Sequence, residues 1–135
     1  KLDIYNYPDK DYDFAVQPDV IVINLGSNDE SEANKNLSSK SFRKGLKAFL
    51  EEVRKNNPEA KILYTYGLVR IGLSEDIQTV VEQLQKEGDS NLYYLQLEQC
   101  ESWELNLNHT VSSAYESRGE AIMAKIKEIT GWNVS

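Results

Sequence analysis

The chain has 135 residues, of which 40% are apolar and 27% are charged, and these values are typical of one globular domain. Its formal net charge of −7 disfavours nucleic acid as a partner, because phosphate binding requires a basic face. No run of about 18 apolar residues occurs, so the sequence predicts no transmembrane helix and no membrane partner, and it leaves the compartment open.

Three apolar segments are predicted to be strands. The first, from Asp19 to Leu25, is a β-branched run that ends at Gly26. Such runs are typical of strands that are buried on both faces of a parallel sheet. The second strand is expected over Lys61 to Tyr66 and the third over Leu92 to Leu97.

Three amphipathic segments alternate with these strands and are predicted to be helices. Ser41 to Asn56 has Ser39 or Ser41 as a candidate cap, and Ser74 to Glu87 ends before Gly88. The last helix is expected over Ser112 to Thr130. Inward-facing positions are expected at Phe42, Leu46, Phe49, Leu50 and Val53 in the first helix, and at Ala114, Ala121, Ile122, Ile126 and Ile129 in the last.

The alternation of strands and helices predicts an α/β fold with right-handed crossovers and a parallel sheet covered by helices. In open sheets of this kind, ligands bind at the carboxyl ends of the strands. Three loops are expected there, namely Gly26 to Glu32, Gly67 to Leu73 and Glu98 to Thr110.

The first of these loops begins with Gly26-Ser27-Asn28-Asp29. Gly26 permits a sharp turn, and the Asn28 amide is suited to donate a hydrogen bond to a developing oxyanion. Asp29 is expected to hold the loop by accepting backbone N–H groups. Taken alone, the tetrapeptide is better explained as an Asx turn that leaves a strand.

The third loop contains His109, the only histidine of the chain. A histidine with an ordinary pKa near 6.5 is suited to act as a general base in acyl transfer. One histidine among scattered carboxylates lacks the spacing of metal ligands, so we expect no metal and no cofactor.

Two segments together resemble the SGNH/GDSL hydrolase superfamily. Pro18 to Asp29 is similar to its Gly-x-Asn-Asp block, and Asn108 to Tyr115 is similar to its histidine block. Tyr12 to Phe14 and Tyr64 to Leu68 resemble in particular the acetyl esterases of carbohydrate esterase family two. The resemblance implies a flavodoxin-like three-layer α/β/α fold and an activity that needs no cofactor.

The same resemblance assigns roles to individual residues. It implies that Asn28 is an oxyanion donor and that His109 is the general base. Three residues before the histidine, where the superfamily usually has aspartate, stands Asn106. Its amide oxygen can accept from the imidazole but supplies no negative charge. Glu104 or a backbone carbonyl is an alternative for orienting His109, although Glu104 is explained equally well as a solvated loop charge.

The nucleophile block of the superfamily, Gly-Asp-Ser after a first strand, does not occur before the Asn28 block. Gly88-Asp89-Ser90 spells these letters but lies between a helix and a strand, and we interpret it as a turn that stops the helix. Residues 1–135 are therefore expected to be the C-terminal portion of a single SGNH hydrolase domain that lacks its N-terminal strands. We expect the isolated chain to be inactive and to need the missing segment or self-association.

Two further side chains are candidates for the site. Trp103 is interpreted either as a platform for a sugar ring or as a hydrophobic plug over the sheet edge. With Gly26 and Asp29, it is assigned to substrate binding. Cys100 is interpreted as a small buried residue rather than a nucleophile, because its acidic neighbours would raise the pKa of a thiol.

The sequence therefore predicts part of a serine esterase that removes short acyl groups, with an acetylated carbohydrate or another small ester as substrate. The alternative is a non-catalytic α/β module that binds a carbohydrate or a protein. A receiver-like or nucleotide-binding domain is a weaker alternative, because the chain has no glycine-rich phosphate loop.

Overall fold

The computed structural model describes residues 13–30, 36–106, 109–110 and 112–133. In chain order the elements are β1 (Val20–Asn24), α1 (Ser39–Asn56), β2 (Lys61–Tyr66), α2 (Ser74–Lys86), β3 (Leu92–Gln96), β4 (Leu105–Asn106), β5 (His109–Thr110) and α3 (Tyr115–Thr130). Short 3₁₀ turns at Ser102–Glu104 and Ser112–Ala114 flank the β4–β5 hairpin. None of the described helices is long and apolar enough to cross a membrane.

The central sheet has the strand order β1-β2-β3 and is entirely parallel. Val20 pairs with Lys61, and Ile62 pairs with Leu92, so the three strands start together at one edge. The predicted α/β fold with a parallel sheet is therefore confirmed. All three strands end at the opposite edge, and the loops that follow them emerge there.

Helices α1 and α2 pack against each other and cover one face of the sheet. Alternate strand residues point to the same face, and those facing these helices form the main core. Its buried members are Ile23, Phe42, Leu46, Leu50, Ile62, Tyr64, Tyr66, Ile77, Val80, Val81, Leu84 and Leu92. Helix α3 contacts β2 outside this cluster, and the intervening β2 residues Leu63 and Thr65 are completely buried.

Helix α1 differs from its prediction at its start and at one inward position. Its N-cap is Ser38, whose Oγ accepts a hydrogen bond from the Ser41 backbone N–H at 3.2 Å, so the proposed caps at Ser39 and Ser41 are wrong. Phe49 is exposed rather than inward. It lies at the margin of the apolar stripe formed by Phe42, Leu46 and Leu50, where it lines a surface groove.

The expectation that β1 is buried on both faces is wrong for the described part of the chain. Ile23 is buried, but Val22 is 44% exposed and Leu25, just after the strand, is 53% exposed. Among the described residues, β1 pairs only with β2. As far as residues 13–30, 36–106, 109–110 and 112–133 show, part of one face and one edge of this apolar strand are therefore uncovered.

Helix α3 also differs from its prediction. It begins at Tyr115, after the 3₁₀ turn, and Ala121 is exposed rather than inward. The buried residue of the helix is Arg118. The predicted inward isoleucines are only half-buried, because α3 contacts β2 while the neighbouring face of β1 is left open.

The Gly88-Asp89-Ser90 segment lies between α2 and β3, as the interpretation of a helix-stopping turn requires. Gly88 has a φ of +114°, and its N–H donates to the Gln85 carbonyl at 3.1 Å. The Asp89 carboxylate accepts two hydrogen bonds from the Arg54 guanidinium, each of 2.9 Å. This segment lies at the amino edge of the sheet, where its hydrogen bonds connect α1 to the start of β3.

Tyr64→Phe is expected to destabilise the protein by about 1 kcal/mol, since the buried hydroxyl donates to the Leu25 carbonyl at 3.0 Å. Burial, assisted by the charge of Asp29, raises the pKa of Tyr64 from 10.0 to about 12. The folded state thus keeps a proton that the unfolded state loses in this window, so the free energy of unfolding falls as pH rises from 10.0 to about 12.

Urea unfolding of the wild type and of Tyr64→Phe across that pH range measures both effects. We expect the variant to lose less stability than the wild type as pH rises, because it lacks the titrating hydroxyl. Parallel pH profiles for the two proteins would contradict the assignment.

Candidate active site

The Asn28 turn leaves the carboxyl end of β1, where the sequence places it. Gly26 has a φ of +116°, and a Cβ built on it would lie 3.1 Å from the ring of Tyr66. Its carbonyl accepts from the Glu30 N–H at 3.1 Å. The glycine thus provides both the turn and the close approach to β2, while Asn28 and Asp29 are exposed on the turn.

Glu30 performs the loop-holding role that the sequence suggested for Asp29. Its Oε2 accepts from the Gly72 N–H at 3.0 Å and also from the Tyr66 hydroxyl. Burial and the bond to Glu30 raise the pKa of Tyr66 far above its ordinary value. Glu30 therefore joins the first loop to the second, although no sequence pattern distinguishes it from the neighbouring acidic residues.

The second loop is fastened to the third by backbone contacts. The Leu97 N–H donates to the Tyr66 carbonyl at 2.7 Å, and the Cys100 N–H donates to the Leu68 carbonyl at 2.8 Å. Gly67 has a φ of +122°, and a Cβ on it would lie 2.6 Å from the Leu97 carbonyl oxygen. This close approach brings the chain after β3 against the chain after β2.

The backbone of His109 belongs to a small antiparallel hairpin that the sequence did not predict. Strands β4 and β5 pair Leu105 with Thr110 and Asn106 with His109. The register therefore places the backbones of Asn106 and His109 directly opposite each other. Each strand has only two residues, which is too short for a periodic pattern to reveal.

Glu104, at the base of this hairpin, is buried and paired, so its interpretation as a solvated loop charge is wrong. Its Oε1 accepts from Arg118 Nη1 at 2.6 Å and its Oε2 from Arg118 Nη2 at 3.0 Å. The Glu101 N–H also donates to Oε2 at 2.8 Å. The Arg118 bond, followed by the Glu101 bond, lowers the pKa of Glu104, and the same pairing raises the pKa of Arg118.

The sequence contained a signal for this ion pair. Arg118 lies four residues after Ala114 and four before Ile122, both of which were expected to face inward. Residues at this spacing share one face of a helix. A charged residue on an inward face requires a buried partner, and the Glu104 carboxylate supplies it.

Trp103 and Cys100 lie in the same segment but in opposite environments. Trp103 is 72% exposed, so the interpretation as a hydrophobic plug is wrong. Cys100 is buried, and burial raises the pKa of its thiol. A buried thiol with a raised pKa is a poor nucleophile, which agrees with a packing role.

The three loops thus form one bonded edge at the carboxyl ends of the strands. The Asn28 turn follows β1 and the His109 hairpin follows the chain after β3, with the Gly67 loop bonded to both sides. The direct approach of Asn28 to His109 stays a prediction. Within the described residues, no group of three or more histidine, cysteine, aspartate and glutamate side chains could hold a metal ion.

Comparison with known proteins tests the resemblance, although no protein-family model matches the sequence. The chain is 29% identical over 127 residues to cellulase/esterase CelE of Acetivibrio thermocellus, in an alignment that covers 85% of this chain and 15% of CelE. It superimposes on a family two carbohydrate esterase from Clostridium thermocellum, solved with cellohexaose, with a TM-score of 0.85, 28% identity and coverage of 93% of this chain and 41% of that one. The resemblance to family two carbohydrate esterases is confirmed.

A more distant likeness agrees with this one at the level of the fold. The acetyl xylan esterase Est2A from Butyrivibrio proteoclasticus gives a TM-score of 0.81 at 21% identity, covering 93% of this chain and 40% of that chain. This chain therefore spans about two fifths of the length of these structures and a smaller part of CelE. Both structures share the fold of this chain over 93% of its length.

Gly67→Ala is expected to destabilise the protein by about 3 kcal/mol, because alanine is strained at positive φ and its Cβ would strike the Leu97 carbonyl. Gly45→Ala in α1 is the matched control, since no atom lies within 4 Å of its Cβ. We expect the control to gain roughly 0.5–1 kcal/mol. Denaturant unfolding checks both values, and equal stabilities of the two variants would show that the close approach is misplaced.

Proposed function

We propose that this chain is the C-terminal portion of a serine carbohydrate esterase that removes short acyl groups, such as acetyl, from a sugar. The observation that carries the proposal is the similarity to a family two carbohydrate esterase over 93% of this chain, with a TM-score of 0.85. The three bonded loops at the carboxyl edge support it, because open parallel sheets bind ligands at that edge.

In the proposed reaction, a serine from the remainder of the domain attacks the ester carbonyl carbon while His109 takes the hydroxyl proton. The negative charge on the tetrahedral intermediate accepts a hydrogen bond from the Asn28 amide. Collapse of the intermediate expels the sugar oxygen, which receives the proton from His109. Water then attacks the acyl-serine while His109 takes its proton, and collapse of the second intermediate releases the carboxylic acid and returns that proton from His109 to the serine oxygen.

Asn106 is proposed to orient His109 by accepting a hydrogen bond from its imidazole. The β4–β5 register supports this role, since the backbones of the two residues are directly opposed. The rival carboxylate is engaged elsewhere, because the two oxygens of Glu104 already accept three hydrogen bonds from Arg118 and Glu101. With Glu104 engaged, a backbone carbonyl is the remaining alternative for the role, and like Asn106 it is neutral and leaves the charge of the imidazolium uncompensated.

The substrate is proposed to be a glycan, with Trp103 as its stacking platform. Trp103 is 72% exposed and stands just before the hairpin that carries His109. An exposed indole face next to polar groups is suited to a sugar ring, which has one apolar face and equatorial hydroxyls. Gly26 and Asp29 are proposed to line the opposite side, where the exposed Asp29 carboxylate can accept from a sugar hydroxyl.

The remainder of the domain is proposed to pack against the open side of β1. Val22 and Leu25 are exposed there, and a groove of about 320 Å³ lies beside Leu25, lined also by Leu37 and Phe49 among others. Unpaired edge strands of apolar character favour strand addition. Either the nucleophile-bearing segment or a second copy of the chain can satisfy this edge, and the esterase proposal favours the first.

A non-catalytic carbohydrate-binding module is the second candidate, and the exposure of Trp103 is compatible with it. The two functions differ in their dependence on His109. Replacing His109 leaves the affinity for the carbohydrate unchanged in both cases. Only an esterase has a turnover that this replacement abolishes.

His109→Ala in the complete protein is expected to abolish nearly all hydrolysis of an activated acetate ester. Asn28→Ala is expected to lower kcat on the order of a hundredfold, the usual effect of removing one oxyanion donor. The 135-residue chain alone is expected to show neither a burst nor turnover. Steady-state and burst kinetics measure these outcomes, and full activity of His109→Ala would refute the proposed base.

Trp103→Ala is expected to weaken binding of a cello-oligosaccharide on the order of tenfold, which corresponds to about 1.4 kcal/mol. Trp132→Ala is the matched control, because Trp132 is also exposed but borders a cleft at the amino edge of the sheet, with Pro18 and Lys61. Isothermal titration calorimetry measures both affinities. Equal losses in the two variants would remove Trp103 from the site.

A further inference from the structure

The Arg118 guanidinium contacts the chain on both sides of the His109 hairpin. Before the hairpin, its Nε donates to the Glu98 carbonyl and its Nη2 to the Gln99 carbonyl, each at 3.2 Å. After the hairpin, its Nη1 donates to the Ala114 carbonyl at 3.3 Å. Arg118 also forms two hydrogen bonds to the Glu104 carboxylate. One buried side chain thus binds the chain both before and after the segment that includes His109.

We propose that Arg118 is the positioning residue of His109, because its guanidinium fastens both ends of the β4–β5 hairpin and so sets where the His109 backbone stands above the sheet. This inference rests on the proposed esterase function. It assigns Arg118 a role through His109, without contact to the reacting atoms.

The geometry of the bonds explains why an arginine is needed. The planar guanidinium presents five N–H donors in a fixed fork, and here it meets a carboxylate and three backbone carbonyls at once. A lysine ammonium keeps the charge but cannot reproduce this planar set of directions. Glu104 precedes the hairpin and Ala114 follows it. Loss of the Arg118 bonds therefore releases both ends of the hairpin at once.

The Glu104–Arg118 ion pair keeps its charges over the pH range in which an ordinary histidine titrates. The mutual bonding lowers the pKa of Glu104 and raises the pKa of Arg118, so both remain charged where an ordinary histidine gains and loses its proton. Within the described residues, the groups that face the pair, besides each other, are backbone carbonyls, the Glu101 N–H, the Ser117 hydroxyl and the nearby Glu98 and Cys100 side chains. The support therefore stays assembled while His109 changes its protonation state.

The opposite edge of the sheet provides a matched control. Arg54 makes a paired contact with Asp89 and donates to the carbonyls of Asn57, Pro58 and Ala60. It thus uses the same chemistry, a bidentate carboxylate and three carbonyls, at the amino ends of the strands. A substitution there disturbs a similar network without touching the chain around His109.

The test compares Arg118→Lys with Arg54→Lys in the complete esterase, well below the unfolding temperature of either variant. We expect Arg118→Lys to lower kcat for a small activated ester about a hundredfold, the cost of a misplaced catalytic group, while KM stays unchanged. Arg54→Lys is expected to keep kcat within a few-fold. A wild-type kcat for Arg118→Lys, or equal losses in both variants, would overturn the positioning role.

A gentler pair of variants decides the matter if Arg118→Lys does not fold. Glu104→Gln removes the charge from the carboxylate and one of its two acceptors, and Asp89→Asn does the same for Arg54. We expect a smaller loss of kcat in the first and none in the second, together with faster amide hydrogen exchange at residues 105, 106, 109 and 110 in the first alone. Equal kcat and equal exchange in the two variants would contradict the proposal.

His109→Ala separates this inference from the function on which it rests. If that variant retains activity, the esterase assignment of His109 is wrong. If it is inactive while Arg118→Lys and Glu104→Gln are fully active, the function stands and only the positioning role is lost.

Discussion

Parallel pairing of the three strands is the constraint on which the rest of the structure depends. Because β1, β2 and β3 run in the same direction, the loops that follow them all emerge at one edge. The Asn28 turn and the chain that leads from β3 to His109 therefore start from the same edge of the sheet. Two hydrogen bonds then join the loops at this edge. The Glu30 carboxylate accepts from the Gly72 N–H, and the Leu68 carbonyl accepts from the Cys100 N–H. The direction of the strands therefore determines at which edge the loops lie, and these hydrogen bonds fix how the loops pack there.

The fold was accessible from the sequence because its signals are local and strong. Strand β2 matches its predicted bounds, Lys61 to Tyr66, since it is a central apolar strand bounded by Gly67. The buried apolar residues of α2, among them Ile77, Val81 and Leu84, recur at helical spacing. Where the prediction of burial failed, at Val22 and Ala121, the fault lies in what covers the element: periodicity identifies an apolar face but not whether further chain lies on it.

The chemistry of the edge was only partly accessible. The Gly26 turn and the hairpin histidine could be proposed because they resemble known blocks, whereas Glu30, Glu104 and Arg118 acquire their roles through partners distant in sequence. Arg118 is separated from Glu104 by a hairpin whose strands have two residues each. No periodic signal reports such a pairing. An arginine on the inward face of an amphipathic helix is the single local clue, and it indicates that a partner exists without identifying it.

The two arginine networks show how one chemical device serves two ends of a sheet. Arg54 donates hydrogen bonds to Asp89 and to carbonyls before β2. Arg118 donates hydrogen bonds to Glu104 and to carbonyls after β3. Each donates to backbone carbonyls where the chain is irregular, because a buried carbonyl without a partner is costly. At the amino edge the result is a stable turn. At the carboxyl edge the same set of bonds holds the chain on both sides of the hairpin of the only histidine, and the proposed positioning of His109 rests on these bonds.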